Sequence, residues 1–155
     1  MSEAESWSGS ASAAAWLAGV VPQEGAELLG PSQLAWLGDA VWELHQRLDQ
    51  CRQPGRAADL HRAVVGRVRA EAQAEALSRL EPLLNARERE LVRRGRNRAG
   101  RGPRRGDPAR YGQATGFETM LGWLFLQDPP RLAELLVHLE KTESPSSPPV
   151  HEPPI

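Results

Sequence analysis

Apolar residues recur at helical spacing through the middle of the chain. One such segment opens at Pro31, and a second runs from about Ala57 to Leu80, after a break at Pro54–Gly55. In both segments the apolar positions repeat every three or four residues, which places them on one face of a helix. They are Leu34, Leu37, Val41, Leu44 and Leu48 in the first helix, and Leu60, Val64, Val68, Ala72 and Ala76 in the second.

Three further helices are predicted downstream. Asn85 with Glu88 three residues later is typical of a helix start, and we expect this helix to reach Arg94 and to stop at Gly95. A Gly/Arg/Pro-rich loop and two more helices are then predicted over Gly95–Ala109, Gln113–Gln127 and Arg131–Lys141. Because no segment alternates with a period of two, the predicted fold class is all-α.

Composition divides the chain into one folded domain and two tails. The domain is predicted to span residues 29–142. Residues 1–28 are acidic and rich in Ser, Ala and Gly, and we expect a flexible tail with at most a short helix over Ala11–Val21. Residues 143–155 are rich in Pro and Ser, which is typical of disorder.

The formal net charge of −1 conceals a strong local asymmetry. The stretch Arg87–Arg110 carries ten arginines against three acidic residues, and the planar fork of arginine suits phosphate oxygens. A single cysteine, Cys51, excludes an internal disulfide framework, and no apolar run reaches the length of a membrane span. We therefore expect a soluble, cytoplasmic protein with no membrane partner.

Glu118 lies in the most apolar of the predicted helices. Its neighbours up to Leu126 are apolar around most of the helix circumference, which is typical of a buried helix. A buried carboxylate is costly unless it is paired or bound to a metal. Gly122, one turn further on the same side, indicates a close approach by another element. Glu118 is therefore a candidate functional residue, and a buried pairing with an arginine is the alternative.

Asp39 is the only charged residue in the segment from Leu34 to Trp42, and a glycine again precedes it. On a helical wheel it points away from the main apolar stripe, so a solvated face is the alternative to a functional role. Trp36 and Trp42 widen the apolar surface of this helix, as core or dimer-interface residues do.

Convergence of the two carboxylates would create a site for a hard cation. Oxygen ligands from Asp39 and Glu118, with waters and a substrate phosphate, suit Mg²⁺. Such an ion can activate water and stabilise the negative charge that develops on a phosphodiester. Together with the arginine-rich stretch, this combination favours the hydrolysis of nucleic acid.

Four segments of the chain resemble ribonuclease III domains. Residues 37–44, Leu-Gly-Asp-Ala-Val-Trp-Glu-Leu, resemble the signature helix of that family, and residues 113–126 resemble its second acidic helix. Residues 60–62, Leu-His-Arg, and residues 93–97, Arg-Arg-Gly-Arg-Asn, resemble elements of the compact branch called Mini-ribonuclease III. The four segments come in the family's order.

The resemblance implies a ribonuclease III helical bundle that works as a homodimeric, Mg²⁺-dependent endoribonuclease on double-stranded RNA. Asp39 and Glu118 would be the catalytic, metal-binding carboxylates. Further acidic positions of the larger enzymes are Ala35 and Thr115 here, and the family's signature glutamate position is Ser32. We therefore expect one well-held Mg²⁺, with any second ion held mainly by substrate.

The resemblance also implies a substrate. Similar enzymes of the compact branch trim the ends of large-subunit (23S) ribosomal RNA precursors, and a ribosomal protein on that precursor is a further candidate partner. We expect the catalytic domain itself to hold the RNA, in place of a separate RNA-binding domain. The candidate RNA contacts are His61, Arg93, Arg94, Arg96, Asn97 and Arg98.

Alternatives stay open for single residues and for the whole chain. His61 could equally be a surface or packing histidine, and Asn97 could cap the turn after Gly95. The chain could be a non-catalytic RNA-binding or ribosome-associated module of the same fold, but the presence of both carboxylates argues against this. It could also be a helical protein-interaction domain, which would leave the arginine-rich loop unexplained.

Overall fold

A computed structural model describes residues 12–52, 55–67 and 69–143. Within these ranges the chain forms helices and no strand, so the all-α prediction is confirmed. The α-helices are α1 (Pro31–Cys51), α2 (Ala57–Arg67), α3 (Ala70–Leu80), α4 (Ala86–Arg98), α5 (Pro108–Gln127) and α6 (Pro129–Thr142). Short 3-10 segments cover Ala13–Gly19, Ala26–Leu28 and Glu81–Leu83. None of the described helices combines the length and the apolar character that a bilayer span requires.

Helix α5 occupies the centre of the bundle. It packs against α1, α3, α4 and α6, and Phe117, Met120 and Leu121 are fully buried, as its apolar pattern predicts. Trp42 of α1 packs edge-on against Phe117, with the ring centroids 5.1 Å apart. Trp42 therefore belongs to the core, whereas Trp36 on the same helix is 82% exposed and accounts for the outward apolar surface of α1.

Two glycines let the backbones of α1 and α5 touch. A Cβ atom at Gly38 would lie 1.8 Å from the backbone oxygen of Glu118, and one at Gly122 would lie 2.0 Å from the backbone oxygen of Leu34. No side chain fits at such distances. This α1–α5 crossing therefore requires glycine at both positions.

Gly95 has the same role between α4 and α5, so the prediction that a helix ends there is wrong. A Cβ atom at Gly95 would lie 2.3 Å from the Thr119 hydroxyl oxygen, and α4 continues to Arg98. The predicted start of α4 is confirmed: the Asn85 side chain accepts a hydrogen bond from the Glu88 backbone N–H at 2.9 Å, and the Glu88 carboxylate accepts one from the Asn85 N–H at 3.0 Å.

The predicted long helix from Ala57 to Leu80 is two helices. Arg69 is extended, with φ −65° and ψ 155°, and α3 starts afresh at Ala70. Gly66 is a local sign of this break, because a glycine inside a helix costs about 1 kcal/mol relative to alanine.

The last two helices begin earlier than predicted. Helix α5 starts at Pro108, where the Asp107 side chain accepts a hydrogen bond from the Ala109 N–H. Helix α6 starts at Pro129, behind Asp128. In both cases proline occupies the first helical turn, where its missing N–H costs nothing.

Residues 12–28 pack onto the bundle, although the composition predicts a flexible tail there. Ala14 and Leu17 are 2% exposed and join the core, and the Ser12 hydroxyl donates to the Glu140 carboxylate of α6 at 2.7 Å. The free energy gained by burying these apolar side chains holds the segment on the bundle, although the residues around them are mostly polar or small. Residues 1–11 and 144–155, where the rest of the predicted tails lies, are outside the described residues.

A buried ion pair joins α4 to α6. Glu88 is 1% exposed and accepts two hydrogen bonds of 2.9 Å from the Arg131 guanidinium. Burial by itself would raise the pKa of Glu88, but the hydrogen bonds from Arg131 and from the Asn85 backbone, together with the charge of Arg131, outweigh it and lower the pKa. The most deeply buried acid of the described residues is thus stabilised in its charged form.

Gly38→Ala should destabilise the bundle. The added methyl group would meet the Glu118 backbone, which cannot rotate away, so we expect a loss of roughly 1–3 kcal/mol in the free energy of unfolding, in excess of the small gain in helix propensity. Urea denaturation measures it. Gly19→Ala is the matched control, because a Cβ atom there meets nothing within 4 Å. Equal stability of the two variants would contradict the proposed backbone contact.

Candidate active site

Asp39 and Glu118, the two acids that the sequence singles out, face one cleft. Asp39 belongs to α1 and follows Gly38 directly, and Glu118 belongs to α5 and supplies the backbone that Gly38 touches. The first turn of α3 and the end of α4 line the remaining sides, through Ala70 and Arg98. The α1–α5 crossing thus fixes the backbones of the two acidic residues beside each other.

The electrostatics of the cleft disfavour two bare negative charges. Burial is the main cause that raises the pKa of Glu118 to about 7, and the charge of Asp39 adds to it; a hydrogen bond from the Gln73 side chain acts in the opposite direction. Asp39 lies at the open side of the cleft, where partial enclosure and then the charge of Glu43 raise its pKa. A cation at this point would relieve both effects.

The structure bears on the alternative explanations of both acids. Within the described part of the chain Glu118 has Gln73 as its hydrogen-bond partner rather than an arginine, so the buried Arg pairing is not observed. The buried acid that does pair with an arginine is Glu88. Asp39 is exposed, as the solvated-face alternative requires, but its exposed side is the cleft it shares with Glu118.

The donor set of the cleft suits a hard cation. Its two carboxylates come from different helices, and Ser32, Ala35 and Thr115 line the same cleft without adding a further carboxylate. Among the described residues no group of three or more His, Cys, Asp or Glu side chains could hold a metal. Two protein carboxylates, completed by water and phosphate oxygens, is a coordination that Mg²⁺ accepts.

Three of the predicted RNA contacts lie together at the rim of this cleft. Arg94, Asn97 and Arg98 are exposed on the last turns of α4 and line a hollow against the start of α1. Arg98 lines the carboxylate cleft as well. The last turns of α4 therefore place positive charge at the rim of a cleft whose centre is negatively charged.

The other predicted RNA contacts are placed differently. The Arg93 guanidinium donates to the Glu90 carboxylate at 2.6 and 2.9 Å. Arg96 is exposed and its side-chain stem lies over Gly112 of α5. His61 is exposed on α2 and does not line the cleft. Of the six candidates, the structure thus places Arg98 in the carboxylate cleft and Arg94 and Asn97 in the hollow beside it.

Two residues of the cleft escape a reading of the sequence. Gln73 is 2% exposed and reaches Glu118 from α3; a glutamine among alanines is a faint sign of such a role. Tyr111 lines the cleft, and a Cβ atom at Gly102 would lie 2.5 Å from its ring. Gly102 has a φ of +77°, so its conformation and its contact both require glycine, and they hold the arginine-rich loop against the cleft.

Comparison with known proteins assigns the family. Residues 32–129, which include both carboxylates and the rim arginines, match the Ribonuclease III domain. The chain belongs to the ribonuclease III family. A Mini-ribonuclease 3 from Synechococcus is 55% identical over 118 residues, which cover 76% of this chain and 86% of the relative. A Mini-ribonuclease 3 from Symbiobacterium thermophilum is 45% identical over 112 residues, or 70% of this chain and 85% of the relative.

A solved structure shows the same fold. The crystal structure of a protein from Fusobacterium nucleatum superposes with a TM-score of 0.66, at 24% sequence identity, and the match covers 72% of this chain and 92% of that one. The predicted ribonuclease III bundle is thereby confirmed. Membership of the family makes this chain an endoribonuclease, and the ribonuclease III family acts on double-stranded RNA.

Glu118→Gln should stabilise the metal-free enzyme, and increasingly so as the pH rises. Below about pH 4.5 the glutamate is protonated in both the folded and the unfolded chain. Between this pH and about 7 the unfolded chain ionises while the folded site keeps its proton, so wild-type stability falls and then levels off. We expect the variant to exceed the wild type by roughly 2 kcal/mol at pH 8 and by little at pH 4. Chemical denaturation in EDTA at both pH values measures this; a gap that does not change with pH would contradict it.

Proposed function

We propose that this protein is a Mg²⁺-dependent endoribonuclease that cuts double-stranded RNA at a site formed by Asp39 and Glu118. The observation that carries the proposal is the pair of carboxylates facing one cleft at the α1–α5 crossing. The family assignment supplies the reaction class, and the raised pKa values of both acids indicate a site designed to face a cation.

Asp39 and Glu118 would each contribute carboxylate oxygens to one Mg²⁺. When bound, the ion would supply positive charge to the phosphodiester and lower the pKa of a water molecule. The protein groups do the positioning. The crossing beneath Glu118 fixes its backbone, and Asp39 at the open side would meet the RNA. Ala35 and Thr115 stand where the resemblance to larger enzymes would place further acids, so the two remaining carboxylates favour one well-held ion.

The RNA would lie across the arginine-bearing rim. Arg94 and Arg98 are proposed to contact phosphates, and Asn97, between them in the same hollow, a ribose hydroxyl. Arg96 is available from the same helix, whereas Arg93 would first have to leave Glu90. His61, on α2, would reach only RNA that extends beyond the cleft.

The substrate proposed within this class is the precursor of large-subunit (23S) ribosomal RNA. Its support is the similarity to relatives named Mini-ribonuclease 3, together with the resemblance of the four motifs to that branch. A ribosomal protein bound to the precursor is a compatible partner.

The proposed working unit is a two-fold homodimer. The strands of a duplex are related by local two-fold axes, and an isologous dimer presents two sites with matching symmetry. Trp36 supports this, since it is a large apolar side chain, 82% exposed, at the edge of the cleft. A dimer interface there would bring two carboxylate pairs near each other.

Asp39→Asn should abolish cleavage while binding and folding persist. The amide keeps the shape of the side chain but loses the charge that faces the cation. Cleavage of a duplex RNA with and without Mg²⁺, compared with the melting temperature and the affinity for RNA, tests this. Wild-type-like cleavage by Asp39→Asn, or cleavage by the wild type in EDTA, would sink the proposal.

The same variant tests the dimer. In dimers that combine one wild-type and one Asp39→Asn subunit, only one strand of the duplex should be cut, so the product is a nicked duplex. Sedimentation equilibrium at micromolar concentration establishes the oligomeric state of the same samples. A monomer on RNA that cuts both strands at the wild-type rate would refute the dimer.

Arg94→Ala/Arg98→Ala should weaken RNA binding and flatten its dependence on salt. Each lost phosphate contact lowers the slope of log affinity against log salt concentration by about 0.9, so the double variant should lose roughly 2. Binding is measured in the Asp39→Asn background, where no cleavage occurs. The control is Arg89→Ala/Arg47→Ala, which removes the same charge from side chains that line neither the cleft nor the hollow beside it. Equal slopes in the two double variants would place the RNA elsewhere.

A further inference from the structure

Gln73 is a polar side chain buried in the protein next to the carboxylate cleft. It is 2% exposed, in a helix whose other buried side chains are Ala74, Ala76, Leu77 and Leu80. Burying an amide is unfavourable unless it finds hydrogen-bond partners. It lines the carboxylate cleft and donates to Glu118.

We propose that Gln73 is a positioning residue of the active site, which holds one oxygen of the Glu118 carboxylate so that the other faces Asp39 and the cation. The inference rests on the proposed function of Asp39 and Glu118. It gives α3 a role in the reaction, because α3 supplies the hydrogen-bond donor that orients Glu118.

The α1–α5 crossing leaves the Glu118 side chain free to rotate. The contact at Gly38 fixes the Glu118 backbone, but the side chain beyond it has several rotatable bonds. The charge of Asp39 repels the ionised Glu118 carboxylate. A hydrogen-bond donor in a fixed position would hold it in place against this repulsion.

The backbone of α3 gives this donor a fixed position. Arg69 is extended and the helix starts at Ala70, so Gln73 stands one turn inside α3, and both Ala70 and Gln73 line the cleft. Its side chain is 2% exposed, so water competes little with Glu118 for the amide. Partners that orient a metal-binding carboxylate in this way are typically worth about 10- to 100-fold in metal affinity or activity.

Gln73→Met tests the proposal, because it keeps the length of the side chain and removes the donor. We expect the Mg²⁺ concentration for half-maximal thermal stabilisation to rise, and kcat on a duplex RNA to fall, each by about 10-fold or more, with KM changed by less than about twofold. Gln46→Met is the matched control. Gln46 is a buried glutamine of α1 that lines a different cavity, and its loss should change neither the Mg²⁺ midpoint nor kcat.

The outcomes separate this inference from the proposed function. If Glu118→Gln is inactive while Gln73→Met keeps the wild-type Mg²⁺ midpoint and kcat, Gln73 is a packing residue and the inference is wrong. If Glu118→Gln cleaves normally, the proposed function itself fails. Should Gln73→Met not fold, Gln73→Asn, whose amide is one methylene too short to reach, must show the same rise in Mg²⁺ midpoint and the same fall in kcat; wild-type values there would equally overturn the inference.

Discussion

The contact between the backbones of α1 and α5 is the constraint on which the site depends. Gly38 and Gly122 remove the two side chains that would hold these helices apart. Asp39 is the next residue after Gly38, and Glu118 is the residue that Gly38 touches. The separation between the backbones of the two acidic residues is therefore set at a tightly packed point of the core, where the structure can adjust least.

This placement has a cost that the rest of the fold must offset. Burial and the charge of Asp39 raise the pKa of Glu118, which destabilises the metal-free protein at neutral pH, as functional sites commonly do. The compensation comes from elsewhere: from the apolar surface of α5, buried on nearly every side, and from Glu88, whose hydrogen bonds from Arg131 and Asn85 keep it charged inside the protein. The pKa of Glu88 is lowered and that of Glu118 is raised, so the first glutamate stabilises the folded protein and the second destabilises it at neutral pH.

Much of this arrangement can be predicted from the sequence, where one physical rule governs the pattern. The period of the apolar residues in α1 and the apolar surround of Glu118 predict both carboxylate helices, and the glycines beside the acids indicate close approach. The role of Gly95 cannot be predicted in this way, because glycine both ends helices and permits close contact between helices. Only the residue packed against it, Thr119 of α5, shows that the second role applies. Trp42 and Trp36 differ in the same way: one meets Phe117 and the other meets solvent.

What the sequence could not predict arises from contacts between distant segments. Arg69 interrupts a helical pattern for no strong local reason, yet this break separates α3 from α2 and brings Gln73 to Glu118. The grouping of Arg94 and Arg98 apart from Arg93 likewise depends on which way α4 faces its neighbours.

The result is a cationic rim around an anionic centre. If RNA binds as proposed, the rim would attract it without a cation and the carboxylates would repel it, so a phosphodiester could approach the acids closely only when their charge is neutralised. Under the proposed function, the binding of substrate at the reacting position and the binding of Mg²⁺ must therefore favour each other.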